Sequence, residues 1–178
     1  MNLCKGERNL HNTILFFKNR NALKKIIWFL IAYSFFLTTC TTVDVFEKNI
    51  TIPKHEWKSS FKPEVVFEIK DTLARYNIFA VIRHTDAYRF KNIWLNMYTQ
   101  FPGDSLKKQQ LDLQLATDDK GWLGSGMDDI FEHRILITDE PALLKTGTYR
   151  FRLENIMRED PLEYIMNVGI RVEKVSQE

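Results

Sequence analysis

The chain is 178 residues long, with 25 Lys and Arg against 23 Asp and Glu, a formal charge of +2 and two cysteines, Cys4 and Cys40. That cysteine usage excludes a CxxC metal centre and a disulfide framework, and a domain with one adjacent basic pair after Cys40, Lys107-Lys108, excludes a phosphate-binding stripe. The charge is also uneven: residues 1–39 take six of the 25 basic residues and one of the 23 acids, which leaves 19 against 22 and a charge of −3 for residues 40–178.

In chain order, residues 1–22 come first, carrying Cys4, Glu7, His11 and an apolar patch around Ile14 to Phe17. They read as a long n-region or an over-extended start, and lie outside the fold reading. Lys24 and Lys25 then precede an uncharged, mostly apolar run from Ile26 to Leu37, followed by Thr38-Thr39-Cys40. A basic edge, an apolar centre and small polar residues are the order of a secretory signal. Crossing a bilayer takes roughly 18 or more apolar residues, and this run is shorter, so a cleaved signal is predicted in place of a permanent transmembrane helix. The plain alternative is a short buried helix with an incidental cysteine, against which Lys24 and Lys25 flank the run on the correct side.

Leu37-Thr38-Thr39-Cys40 resembles a bacterial lipobox, with Thr39 where Ala, Gly or Ser is usual. The resemblance implies that the Cys40 thiol receives diacylglycerol and becomes the first residue after cleavage. Acyl chains, at roughly 0.8 kcal/mol per buried CH₂, then suffice to hold the domain on a membrane. Thr41 follows Cys40, where an Asp would favour inner-membrane retention, and no acidic cluster comes after it, so the periplasmic face of the outer membrane is expected.

Three segments are predicted: residues 1–39 as N-terminal extension and lipoprotein signal peptide, 40–52 as lipidated tether and first strand, and 53–178 as the folded domain. Val45-Phe46 and Ile50-Thr51-Ile52 favour strand before Pro53 ends the run. Val65, Phe67 and Ile69 then alternate with Val66, Glu68 and Lys70, the period of a half-buried strand. Ile78 to Ile82 is apolar on both faces and reads as a central strand. Ile93, Leu95 and Met97 oppose Trp94, Asn96 and Tyr98, and Leu111, Leu113 and Leu115 oppose Asp112, Gln114 and Ala116. Arg134 to Ile137 is a short run, and the patterns around Tyr149 to Leu153 and Val168 to Val172 are the cleanest in the chain. Pro, Gly, Asn and Asp supply the connectors, including Thr117 to Asp129. With about seven or eight strands and no amphipathic crossover helices, the class is all-β, an antiparallel sandwich of jelly-roll or Ig-like type. At most one short helix is expected, around Asn155 to Ile165, where Pro161 limits it.

Chemistry-bearing residues are few. Asp128, Asp129, Glu132 and His133 gather in one segment and suit metal or acid-base chemistry, but the plain reading is a solvated loop capping a helical turn. Asp118-Asp119-Lys120-Gly121 lacks the alternate acidic ligands of a calcium loop. His84, Asp86 and Ser125 form no recognisable nucleophile arrangement, and Gly121, Gly124 and Gly126 read as setting backbone shape around Trp122. Among Trp57, Tyr88, Trp94, Tyr98 and Trp122, core packing is the ordinary explanation, but Trp94 and Tyr98 sit on the polar side of their strand. Trp94, Tyr98 and Trp122 are therefore the candidate contact surface, for protein or for a sugar ring. No catalytic residue, metal, cofactor or nucleic-acid partner is expected, and no small-molecule ligand can be named.

Taken in order, Val45-Phe46-Glu47, Lys70-Asp71-Thr72-Leu73, Tyr76-Asn77, Arg83-His84-Thr85-Asp86-Ala87-Tyr88 and Phe101-Pro102 resemble the gliding-motility-associated lipoprotein H (GldH) family of Bacteroidetes. So do Gly121-Trp122-Leu123-Gly124-Ser125-Gly126, Asp129-Ile130-Phe131, Gly147-Thr148-Tyr149, Asn155-Ile156-Met157-Arg158 and Val168-Gly169-Ile170-Arg171-Val172-Glu173. The likeness spans nearly all of the chain after Cys40. It implies a lipid-anchored component of the gliding-motility envelope apparatus, linked to type IX secretion, partnered by other envelope proteins and without known catalytic activity. A carbohydrate-binding envelope lipoprotein is the alternative. Cys40 alone is carried over as a site residue.

Overall fold

The computed structural model describes residues 45–175 and, before them, Lys24 alone. Apart from Lys24, the predicted signal lies outside the described residues, as do Cys40 and the first part of the predicted tether. In chain order the strands are β1 (Val45–Thr51), β2 (Glu56–Trp57), β3 (Glu64–Ile69), β4 (Arg75–Thr85), β5 (Asn92–Gln100), β6 (Lys107–Gln114) and β7 (Ala116–Thr117). There follow β8 (Gly121–Trp122), β9 (Ser125–Met127), β10 (Ile130–Leu136), β11 (Ala142–Leu143), β12 (Gly147–Asn155), β13 (Leu162–Glu163) and β14 (Ile165–Val175).

Eight of these have six or more residues and build two antiparallel sheets, ordered β1-β14-β4-β10-β9 with β11 on β4, and β3-β12-β5-β6. The all-β sandwich expected from the alternation is what forms. Its interior is where the odd and even positions sort: Val65, Phe67 and Ile69 from β3, Ile93, Leu95 and Met97 from β5, and Tyr149, Phe151 and Leu153 from β12 are all buried. They meet Ile78, Ala80 and Ile82 of β4 and Val168, Ile170 and Val172 of β14 from the other sheet. Phe46 of β1 reaches Phe67 of β3 with ring centroids 5.1 Å apart, closing one flank.

β4 is the central strand foreseen, paired to β14 on one side and to β10 on the other. Its Val81 points away from the core and is still only 1% exposed. The cover is charged: Arg171 bonds Glu47 at 2.7 Å and also Glu173, Arg134 bonds Glu132 at 2.7 Å and reaches Glu47 at 3.5 Å, and Arg83 pairs with Glu132. Long Arg stems lie flat over apolar surface while their heads stay paired. Gly169, opposite both Asn49 and Val81, keeps this lane open, since a Cβ there would strike the Lys48 carbonyl and the Asn49 side chain.

Two sequence expectations are corrected. Asn155 to Ile165 forms no helix: the Asn155 side chain accepts from Met157 N at 2.9 Å, Ile156 N bonds Trp94 O at 3.2 Å, and Leu162 pairs with Trp57. The backbone groups a helical turn would use are thus already committed. Within residues 45–175 the only helical turn is a 3-10 turn at Pro53–His55. Likewise the strand expected at Arg134 begins at Ile130, because Met127 pairs with Ile130 across a tight turn in which Asp128 has φ 55°. Asp128-Asp129 is a hairpin turn, not a loop capping a helix.

Candidate functional site

β5 presents Trp94, Asn96 and Tyr98 on the outer face of the four-stranded sheet, as its alternation dictates. Next to it β12 presents Arg152 opposite Tyr98 and Glu154 opposite Asn96, and β6 presents Lys108 opposite Tyr98. Glu154 is the hub. Its carboxylate takes Lys62 at 2.5 Å, the Tyr98 hydroxyl at 2.7 Å and Asn96 Nδ2 at 3.0 Å. The Lys62 ammonium, then the phenol and the amide, hold this carboxyl down to about 2. Asn96 is buried in the process, although its strand face is the polar one.

Around that hub the surface is cationic. Lys108 Nζ sits 5.6 Å from the Tyr98 ring centroid, and Arg150 and Arg152 both reach Glu64, at 3.3 and 3.0 Å. A shallow cleft of about 240 Å³ lies between Glu64, Tyr98, Gln100, Leu106, Arg150 and Arg152. Trp94, at 39% exposure, is the large aromatic left open on this face. Tyr98, with Lys108 against its ring and Arg152 opposite it, sets an aromatic plane beside cations and is equipped to hold a partner surface. A carboxylate locked in its ionised form is not equipped to exchange protons near neutrality.

Trp122, the third candidate, is not brought together with these two. It lies in β8 and packs against the core at the end where β4 closes, its ring centroid 4.4 Å from that of His84 and its Nε1 donating to Asp86 at 2.9 Å. Tyr88 and Phe131 complete the same cluster.

That cluster holds a pair that the sequence reading missed. His84 of β4 and His133 of β10, both on inward positions, bring their Nε2 atoms to 2.9 Å and are almost fully buried. The Thr85 carbonyl lies 2.8 Å from His84 Nδ1 and can only accept, which places a proton on Nδ1. His84 Nε2 is then the acceptor and His133 Nε2 the donor. Burial drives both imidazoles toward neutrality, His133 to about 4 with help from His84. Gly124 makes the contact feasible, since a Cβ there would lie 2.9 Å from His133 Cε1. Sequence distance hid the pair: 49 residues separate the two rings. Asp128 and Asp129 remain exposed in their turn, and among the described residues no three His, Cys, Asp or Glu side chains gather as a metal site.

A family model for the GldH lipoprotein matches residues 44–172. The chain belongs to the GldH lipoprotein family. Similar proteins include the gliding motility lipoprotein GldH homolog of Christiangramia forsetii, 25% identical over 144 residues that cover 77% of this chain and 88% of that one. Gliding motility lipoprotein GldH of Flavobacterium johnsoniae is 26% identical over 154 residues, covering 82% and 94%. Among solved structures, a chain of infectious bursal disease virus, Gx strain, overlaps 76% of this chain and 33% of its own length at 13% identity and a TM-score of 0.26, a likeness too slight to bear on the GldH fold. The match begins at residue 44, after Cys40, and takes in the two-sheet domain of this GldH-family chain up to the last three residues of β14.

Proposed function

We propose that this GldH-family chain is a lipid-anchored, non-enzymatic component of the gliding-motility envelope machinery linked to type IX secretion. Cys40 is its attachment point, and the periplasmic face of the outer membrane its location. The observation that carries the reading is the family match across residues 44–172, supported by two relatives named as gliding motility lipoproteins. The chemistry of the domain agrees with a docking role. Its two buried imidazoles, His84 and His133, bond each other inside the core, its most perturbed carboxylate is tied up by Lys62, Tyr98 and Asn96, and Trp94 stands open on the outer face of the four-stranded sheet. On this reading residues 1–39 are the removed signal, 40–52 connect the lipid to β1, and Trp94 with Tyr98 meets a protein partner.

Crosslinking in intact cells followed by purification from membranes tests this. Other envelope-machine proteins are expected to co-purify, with yields that fall in a Trp94→Ala variant. Recovery of none, together with a normal envelope in a deletion strain, removes the proposal. The exposure of Trp94 also favours a second reading, a carbohydrate-binding lipoprotein, which calorimetry with cell-envelope glycans separates from the first by heat that Trp94→Ala abolishes.

A further inference from the structure

The register of the sheets sets one end of the sandwich apart. Val45 opens β1 opposite Glu173, and Glu173 lies opposite Asn77 near the start of β4; Ile69 closes β3 opposite Gly147, the start of β12; Lys107 opens β6 opposite Thr99 near the end of β5. The chain therefore enters from the Cys40 side at the same end as three loops, 70–74, 101–106 and 137–146. Each of these loops carries a leucine turned to solvent: Leu73 at 84% exposure, Leu106 at 56% and Leu143 at 59%. Leu143 lies opposite Arg75 in β11, two residues from Leu73 along the chain leading into β4.

Leu106 stands at the rim of this end, where it also lines the cleft beside Tyr98, and Met127, 78% exposed, and Leu123, 46% exposed, lie at the opposite end, so it is the reach of the tether from Cys40 that singles this end out. Charge does not explain the three leucines. Lys70, Arg75 and Lys145 stand in or beside these loops, but Asp139 and Glu140 share the third loop, and Asp71 is already paired with Lys174 at 2.7 Å. The five residues from Cys40 to Val45 span at most about 18 Å. The opposite end, past Thr51 and Tyr164, is farther off by the length of β1, roughly 20 Å.

Resting on Cys40 as the lipid attachment point, we infer that the end bearing Leu73, Leu106 and Leu143 docks on the bilayer. The three side chains enter the boundary between headgroups and acyl chains and fix the domain upright on its anchor. Trp94 and Tyr98, on the flank of the four-stranded sheet, are then held facing sideways above the membrane. Because the contact is apolar and the nearby charges are mixed, it withstands high salt.

Spin labels test the inference on the acylated protein. Once the signal is removed and Cys40 is modified, an introduced cysteine is the only thiol in the chain. Leu73→Cys, Leu106→Cys and Leu143→Cys change exposed tips, and Tyr164→Cys, 38% exposed at the far end, is the control. In vesicles of phosphatidylethanolamine and phosphatidylglycerol, the labels at 73, 106 and 143 are expected to lose broadening by an aqueous nickel chelate and gain broadening by oxygen. That pattern corresponds to a depth of roughly 5–10 Å below the headgroups. The label at 164 keeps its sensitivity to nickel. If all four labels respond to nickel alike while the protein floats with the vesicles, the docking inference is overturned and the anchor stands. If the protein does not float, the anchor fails and the docking with it. Shielding of the three positions from both reagents in native membranes, absent in pure vesicles, assigns this end to a protein partner and also overturns bilayer docking.

Discussion

His84 and His133 are each ordinary as single residues and become distinctive only as a pair. Their Nε2 atoms share one proton at 2.9 Å in a site with almost no solvent. Burial lowers both, and His133 goes from 6.5 to about 4. The unfolded chain therefore takes up protons at a higher pH than the folded one, so stability is fully present above about 6.5 and is lost as pH falls through about 4. The displacement of His133 alone corresponds to about 3 kcal/mol. Urea unfolding at pH 7 and pH 5 is expected to show a marked drop in midpoint for the native chain and a much smaller drop for His133→Gln. Equal drops would refute the pair as the source. Glu154, which titrates between 4.5 and about 2, contributes below this window and leaves the comparison clean.

The strands were largely legible because a half-buried strand writes its orientation every second residue. β3, β5, β12 and β14 lie where the alternation put them. Legibility ended where backbone pairing came from afar. Ile130 joined β10 because Thr85 of β4 faced it, and Asn155 to Ile165 gave up its helical potential to Trp57 and Trp94, residues distant in sequence. Gly169 tests the element scale. In isolation it weakens the β14 pattern, yet β1 approaches so closely that no Cβ fits. Gly169→Ala is expected to destabilise the domain by about 2 kcal/mol through displacement of β1, read as a lowered thermal midpoint. An unchanged midpoint would mean that β1 accommodates the methyl group.

For the whole molecule, the anchor and the domain form one argument. A lipid on Cys40 is expected to be the sole membrane attachment strong enough to survive washing, with the leucine-bearing end orienting the domain and not retaining it. Acyl labelling of the native chain against Cys40→Ala, with membrane fractionation, checks this: label is lost and the protein moves to the soluble fraction. Equal labelling of both would defeat the attachment at Cys40.

Composition, charge and alternation by themselves determined a signal-like start, a mildly acidic all-β domain and the outward side of Trp94 and Tyr98, and the resemblance to a lipobox made Cys40 the candidate lipid site. Those features are local, since each is written within a strand or a short run. Only the tertiary structure decided that Trp122 packs with His84 and not beside Trp94, that His84 meets His133, and that Leu73, Leu106 and Leu143 converge at the end where the chain enters. Each of these depends on which strands are neighbours, and pairing between segments distant in sequence, 49 residues for the two histidines, is set by the register of whole sheets, not by local spacing.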